Sequence, residues 1–223
     1  MAGLTQYSAV NLLPDVKVDS VRWNRIPPEE EVGETAAAIG KRGIRVIRVR
    51  DRKEAIDTLS RLIPRGSEVM NGSSTTLIEV GYEALLKSGE TGWRDLHDTI
   101  TAENDEKKRG ELRRRSVTAD YFVSGANAIS RTGEIVACDM SGSRVGAWPF
   151  GAGHLILVCG VNKIVPTLDD ALRRIREYAY PLENARAKKA YGIPSQIGKC
   201  IILANEKVEG RVTLILIEES LGY

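Results

Sequence analysis

Long apolar runs are missing from this 223-residue sequence. The strongest, Leu155 to Cys159 with its flanks, is far shorter than the roughly 20 residues a membrane-spanning helix needs. The N-terminus has no basic segment followed by an apolar one, so no secretory leader is expected and a cytoplasmic location is. An excess of one charge is missing too. Lys plus Arg number 32 against 30 for Asp plus Glu, which leaves no global field to hold a polyanion, and neither nucleic acid nor membrane is expected as a partner. Cysteine is scarce: Cys138, Cys159 and Cys200 are an odd number without CxxC spacing, and two of them lie in apolar, strand-like contexts. That excludes a disulfide framework and a self-contained iron–sulfur or zinc site, so no metal and no cofactor is expected. Neither GxGxxG nor a Walker lysine occurs, which places a nicotinamide enzyme last among the alternatives. The two histidines offer little. His154 precedes an apolar strand and reads as a strand-edge residue rather than a general base, and His97 lies in a polar helical stretch.

What is present is enough hydrophobic sequence, 42% of residues, to bury a proper core. The expectation is an irregular N-terminal arm over residues 1–26 and a single α/β domain over 27–223. Pro27 and Pro28 lead into Glu29, Glu30 and Glu31, a favourable helix start, and Gly40 and Gly43 mark its end. A β-branched strand follows at Ile44 to Val49. Asp51 can then cap a helix whose Ala55, Ile56, Leu59, Leu62 and Ile63 recur at helical spacing. Strand Glu68 to Asn71, a turn at Gly72 and a helix from about Ser74 to Lys87 continue the alternation, which predicts a Rossmann-like, mostly parallel sheet flanked by helices. From Trp93 to Thr118 a long polar helical stretch carries Lys107, Lys108, Arg109, Arg113, Arg114 and Arg115. It reads as a solvated face, with a contact to an anionic ligand or acidic partner as the alternative. Strand Tyr121 to Ser124, a hairpin turning at Thr132-Gly133, strand Ile135 to Cys138 and a buried strand His154 to Cys159 come next. Thr167 and Asp170 form a capping box ahead of a helical stripe from Leu168 to Tyr178. Strands Cys200 to Ala204 and Val212 to Ile217 are expected to complete the sheet.

Three polar segments follow strands, where open α/β sheets bind ligands. Asn71-Gly72-Ser73-Ser74-Thr75-Thr76 could cradle a phosphate or carboxylate with backbone N–H groups and hydroxyls; the plainer alternative is a helix cap and a turn. In Ser124-Gly125-Ala126-Asn127, small residues would let a ligand approach the backbone, and Asn127 offers a donor and an acceptor. In Gly160-Val161-Asn162-Lys163, an apolar strand ends in an amide and a lysine, and Lys163 supplies a movable positive charge. Asp139 and Arg144 could serve as acid/base and anion clamp, and Glu134 as a reactive carboxylate or an ordinary hairpin residue.

Several ordered motifs together resemble the lactate-utilisation (LUD) domain family. They are Ala119 to Ile129, Thr132-Gly133-Glu134, Asp139 to Arg144, Gly160 to Pro166, and the ending Gly210 to Glu219 with Gly222; Asn71 to Thr76 matches more loosely. The resemblance implies a fold like the NagB/RpiA/CoA-transferase superfamily, which includes 5-formyltetrahydrofolate cyclo-ligase, and a link to oxidation of lactate to pyruvate. Many relatives carry a cysteine-rich stretch before the last two strands, whereas here only Cys200 stands beside the short loop Tyr191 to Lys199. Family members linked to lactate use act beside iron–sulfur proteins, which implies that redox centres belong to a partner and that this chain is an accessory subunit binding a small anionic metabolite. The alternatives are a stand-alone acyl-CoA or sugar-phosphate enzyme using Glu134, and a non-catalytic metabolite-sensing or scaffold protein. A homo-oligomer is compatible with each.

Overall fold

Ten strands, most of them separated by helices, lie among the described residues of the computed structural model, which describes Leu13 and residues 15–223. They are β1 (Arg45–Val49), β2 (Glu68–Asn71), β3 (Arg94–Asp95), β4 (Tyr121–Ser124), β5 (Ala128–Ser130), β6 (Ile135–Asp139), β7 (His154–Gly160), β8 (Ile164–Val165), β9 (Lys199–Leu203) and β10 (Val212–Ile217). Six of them form one sheet in the order β1-β10-β7-β4-β2-β3, with every pairing parallel. The expected α/β architecture with a parallel sheet is therefore present.

Side-chain alternation along the strands divides the core between the two faces. From β7, Ile156 and Val158 pack on one face with Ala55 and Leu59 of helix Arg52–Leu62, with Ile63 that caps it, and with Leu77 and Val80 of helix Thr75–Val80. Leu155, Leu157 and Cys159 point to the other face, against Val32 and Ile39 of helix Glu29–Lys41 and a second, four-stranded sheet. That second sheet, ordered β8-β5-β6-β9, was not foreseen. Its outer side is covered by the helical run from Leu168 to Tyr191, through Ala171, Ile175, Tyr178 and Leu182. The run widens into a π turn at Ile175–Ala179, just ahead of Pro181, which has no N–H to continue the regular ladder.

Three expectations are corrected. The last two strands do not share a sheet: β10 lies between β1 and β7, whereas β9 is an edge strand paired antiparallel with β6. Val212–Ile217 is apolar throughout and buried along its whole length, as a central parallel strand must be, while β9 leaves Cys200 and Ile202 exposed. The helix expected from Ser74 to Lys87 breaks at Gly81, whose φ of 86° is left-handed and closes the first piece. The polar stretch divides into β3, helix Leu96–Ala102 and helix Glu106–Arg115, the last restarted by Asp105 accepting from the Lys108 N–H at 2.8 Å. Of the expected arm, residues 1–12 and 14 lie outside the described residues. Ser20–Trp23 forms one helical turn capped by Asp19, and Trp23 is buried against the outer cluster.

Candidate functional site

Because β2, β4 and β7 are parallel neighbours, the loops leaving their C-terminal ends are brought side by side. A cavity of about 470 Å³ opens there, and its walls include Asn71, Gly72, Ser73, Ser74 and Thr75 after β2, Gly125 and Asn127 after β4, Lys163 after β7, and Asp139 and Arg144 after β6. This volume suits a small metabolite.

Lys163 holds the three loops together. It ends the 3₁₀ turn Val161–Lys163, is only 2% exposed, and donates from Nζ to Thr76 Oγ1 and to the Ala126 carbonyl, each at 2.8 Å. Burial pushes its ammonium down to about 8; Arg174 and Arg144 act in the same direction, against Cys159 and Glu79. Arg144 sits on the short helix Ser143–Gly146 and reaches back across the cavity floor. Its guanidinium donates to the Gly125 carbonyl at 2.6 Å, to Asn127 Oδ1 at 3.3 Å and to the Cys138 carbonyl, while its own N–H donates to Asp139 Oδ2 at 2.8 Å. Burial lowers the Arg144 pKa, with Asp139 opposing. The position depends on Gly72, since a Cβ there would lie 2.4 Å from Arg144 Cδ and 2.8 Å from its Cβ.

Lys163 and Arg144 thus face the cavity with carbonyl, hydroxyl and amide oxygens as their side-chain partners. Two further cations line it. Arg186 is held by Glu183 through two hydrogen bonds, at 2.7 and 2.8 Å, whereas Arg113 is an exposed residue of the polar helix at the rim. Glu183 also accepts from the Tyr223 hydroxyl at 2.6 Å. With Asp139 and Glu183 the acids among these wall residues, the surplus of charge is positive.

Several expected residues have a different place. Ser124 is wholly buried beneath the cavity and accepts from Trp148 Nε1 at 3.2 Å. Asn162 is spent on the chain's own end: its Oδ1 accepts from the Leu221 N–H at 3.0 Å, and its Nδ2 donates to Asn24 Oδ1 at 2.7 Å and the Gly222 carbonyl at 3.3 Å. Gly160 is there because a Cβ would come within 2.5 Å of the Glu219 carbonyl oxygen. Glu134 stands outside the cavity walls, in the β5–β6 hairpin, bound by Ser130, Thr132 and Arg42. Burial raises its carboxyl pKa, but those hydroxyls and Arg42 prevail and hold it below the usual range. Within the cradle, Ser74 accepts from the Leu77 N–H at 3.4 Å and so caps its helix. His154 stacks on Tyr121, with ring centroids 4.7 Å apart. Sequence reasoning missed Glu183, Arg186 and Tyr223, which reach the cavity only through tertiary packing. The basic run did contain a signal for Arg113, but nothing in it singled out that residue. Among the described residues, no group of three or more His, Cys, Asp or Glu is placed to hold a metal.

Comparison with known proteins adds the family. The LUD domain profile matches residues 32–217, which is most of the chain. The chain belongs to the LUD domain family. No curated protein matches it. Among solved structures, this LUD-domain chain is similar to a DUF162 family protein from Deinococcus radiodurans, at 15% identity and a TM-score of 0.48, over 86% of this chain and 98% of that one. It is also similar to ribose 5-phosphate isomerase from Plasmodium falciparum, at 14% identity and a TM-score of 0.32, over 52% of each chain. A third similarity is to eIF2B beta from Chaetomium thermophilum, at 15% identity and a TM-score of 0.34, over 53% of this chain and 44% of that one.

Proposed function

We propose that this LUD-domain protein binds a small anionic metabolite in the cavity beyond β2, β4 and β7, as an accessory subunit of lactate utilisation or related organic-acid metabolism. One observation carries the binding: two cations, Lys163 and Arg144, are directed into a small cavity with only neutral oxygens as side-chain partners. Burial lowers both pKa values despite the opposing charges of Glu79 and Asp139, and a carboxylate or phosphate between the two would relieve the cost that those acids leave in place. Asp139, held beside Arg144, would set the orientation of such a ligand or exchange a proton with it. The organic-acid context comes from the family, and the redox centres would belong to an iron–sulfur partner protein. Glu134 as an attacking carboxylate is not carried forward, because it lies outside the cavity and is engaged by Ser130, Thr132 and Arg42.

The test is a thermal-shift series with lactate, pyruvate, sugar phosphates, acyl-CoAs, folates and nucleotides. A ligand at one hundred times its dissociation constant adds about 2.7 kcal/mol. An anion whose stabilisation falls to about half in Arg113→Ala and is lost in Lys163→Met supports the site. A shift that survives both changes places binding elsewhere and sinks the proposal. Pull-down of an iron–sulfur protein checks the subunit role separately.

A further inference from the structure

Two of the three cysteines face each other across a strand pair. In the antiparallel pairing of β6 with β9, Cys138 lies directly opposite Cys200. Which kind of pair they form follows from the main chain of Cys138. Its N–H donates to Asn127 Oδ1 at 2.9 Å and its carbonyl accepts from the Arg144 guanidinium, while two residues earlier the Val136 carbonyl accepts from the Asn127 N–H. Alternate residues of a strand direct their main-chain groups to the same side, so those of Cys138 turn toward β5 and away from β9. Cys138 and Cys200 therefore occupy a position without ladder hydrogen bonds, where Cα atoms approach to about 4.5 Å and side chains come closest. A disulfide spans Cα separations of about 4.4–6.8 Å, so this is a position where one can close without moving the strands apart.

Their surroundings differ in a useful way. Cys200 is exposed on the edge strand, whereas Cys138 is partly buried and forms part of the cavity wall. Burial pushes the Cys138 thiol up to about 11, against the pull of Arg144, which keeps it protonated and slow to react first. Cys159 is fully buried within the main sheet, where its sulfur accepts from the Ala126 N–H, so it stands outside the pair.

We propose that Cys138 and Cys200 form a reversible cross-strand disulfide, a redox-sensitive modification site in the wall of the cavity, closed by hydroperoxides. The exposed Cys200 thiolate attacks the outer peroxide oxygen and becomes a sulfenic acid as the O–O bond breaks, releasing alkoxide (hydroxide from hydrogen peroxide), which takes up the proton the Cys200 thiol gave to solvent. The Cys138 sulfur then displaces that hydroxyl group, its proton leaving with it as water. In sum, two thiols and one hydroperoxide give one disulfide, one water and one alcohol, or two waters from hydrogen peroxide. Disulfides of this kind in reducing compartments are typically transient and regulatory. The bridge would fix β9 to β6, and with it the segment at Ile193, Pro194, Ser195 and Gln196 that enters β9 from the cavity wall. The inference does not depend on the identity of any ligand.

The test uses the full chain, reduced and desalted, then exposed to hydrogen peroxide or to a glutathione redox buffer, alkylated and mapped by mass spectrometry without reduction. The expected product is a monomer in which the Cys138 and Cys200 peptides are joined with loss of two hydrogens, reversed by dithiothreitol. Cys159→Ser should leave the bridge intact, and Cys200→Ser should leave Cys138 as a free thiol. Oxidation of Cys200 to the sulfinic acid beside an unmodified Cys138, a Cys200–Cys200 link between two copies, or no bridge under either oxidant would overturn the proposal.

Discussion

Lys163 gives the most quantitative handle on the site. Its ammonium is buried, and its pKa falls from 10.5 to about 8 on folding. At about 1.4 kcal/mol per pH unit, that gap corresponds to roughly 3 kcal/mol of stability withheld from the fold while the amine is charged in both states. The direction follows from proton counting. Between pH 8 and 10.5 the unfolded chain binds the extra proton, so stability gained from this residue rises with pH over that window, and the penalty is complete below it. Lys163→Met removes the charge at similar length and forfeits two hydrogen bonds, to Thr76 and Ala126, worth about 1 kcal/mol each. The two effects nearly offset near neutrality, so the variant should lie within about 1 kcal/mol of the wild type at pH 7 and about 2 kcal/mol below it at the top of the window. Urea unfolding of both proteins at a series of pH values reads the difference directly, because every other titrating group is common to the two. A difference that stays constant from pH 8 to 10.5 would refute the reasoning. The same linkage predicts that affinity for an anion falls as pH rises above about 8, as Lys163 gives up the proton that a bound anion favours.

Gly72→Ala should displace Arg144, whose Cβ, Cγ and Cδ all lie within 2.8 Å of the added methyl. The expected cost is about 1–3 kcal/mol in chemical denaturation, with weaker anion binding in the thermal-shift series. Asn162→Ala should lower stability by about 3 kcal/mol because the buried Leu221 N–H and Gly222 carbonyl both lose their partner, and urea titration measures it. Glu134→Gln should cost about 1–2 kcal/mol at neutral pH and leave anion affinity unchanged. Since the fold holds the Glu134 carboxyl below its ordinary 4.5, that stability is present above 4.5 and lost as pH falls through the folded value. Thermal melts of both proteins on the acid side should therefore converge.

How far the sequence could be read depended on whether a feature was local. β2 and β4 have the expected limits because a short apolar run closed by polar or glycine residues is a self-contained signal. The caps at Asp51 and Thr167 formed as expected for the same reason. The second sheet was not legible, because the β6–β9 pairing joins residues some sixty positions apart and nothing local distinguishes β9 from a strand of the main sheet. At the site, the loops after β2 and β4 and Lys163 were legible as strand-following polar segments, and parallel pairing then brought them together. Asn162 was misassigned because an amide beside a glycine reads alike whether it holds a ligand or the chain's own C-terminal residues. Glu183 and Arg186 offered no signal at all, since they meet the cavity only when the helical run from Leu168 to Tyr191 packs over the small sheet.

The central claim is that the cavity holds a small anion between Lys163 and Arg144, with Arg113 at the rim. Titration calorimetry of lactate, pyruvate and inorganic phosphate against the wild type and Arg113→Ala tests it most directly, because an exposed residue can be removed at a cost within about 0.5 kcal/mol of stability. The account predicts that the anion best bound by the wild type binds about tenfold more weakly to Arg113→Ala, a loss near 1.4 kcal/mol, with an unchanged melting temperature. Equal affinity in the two proteins would contradict it.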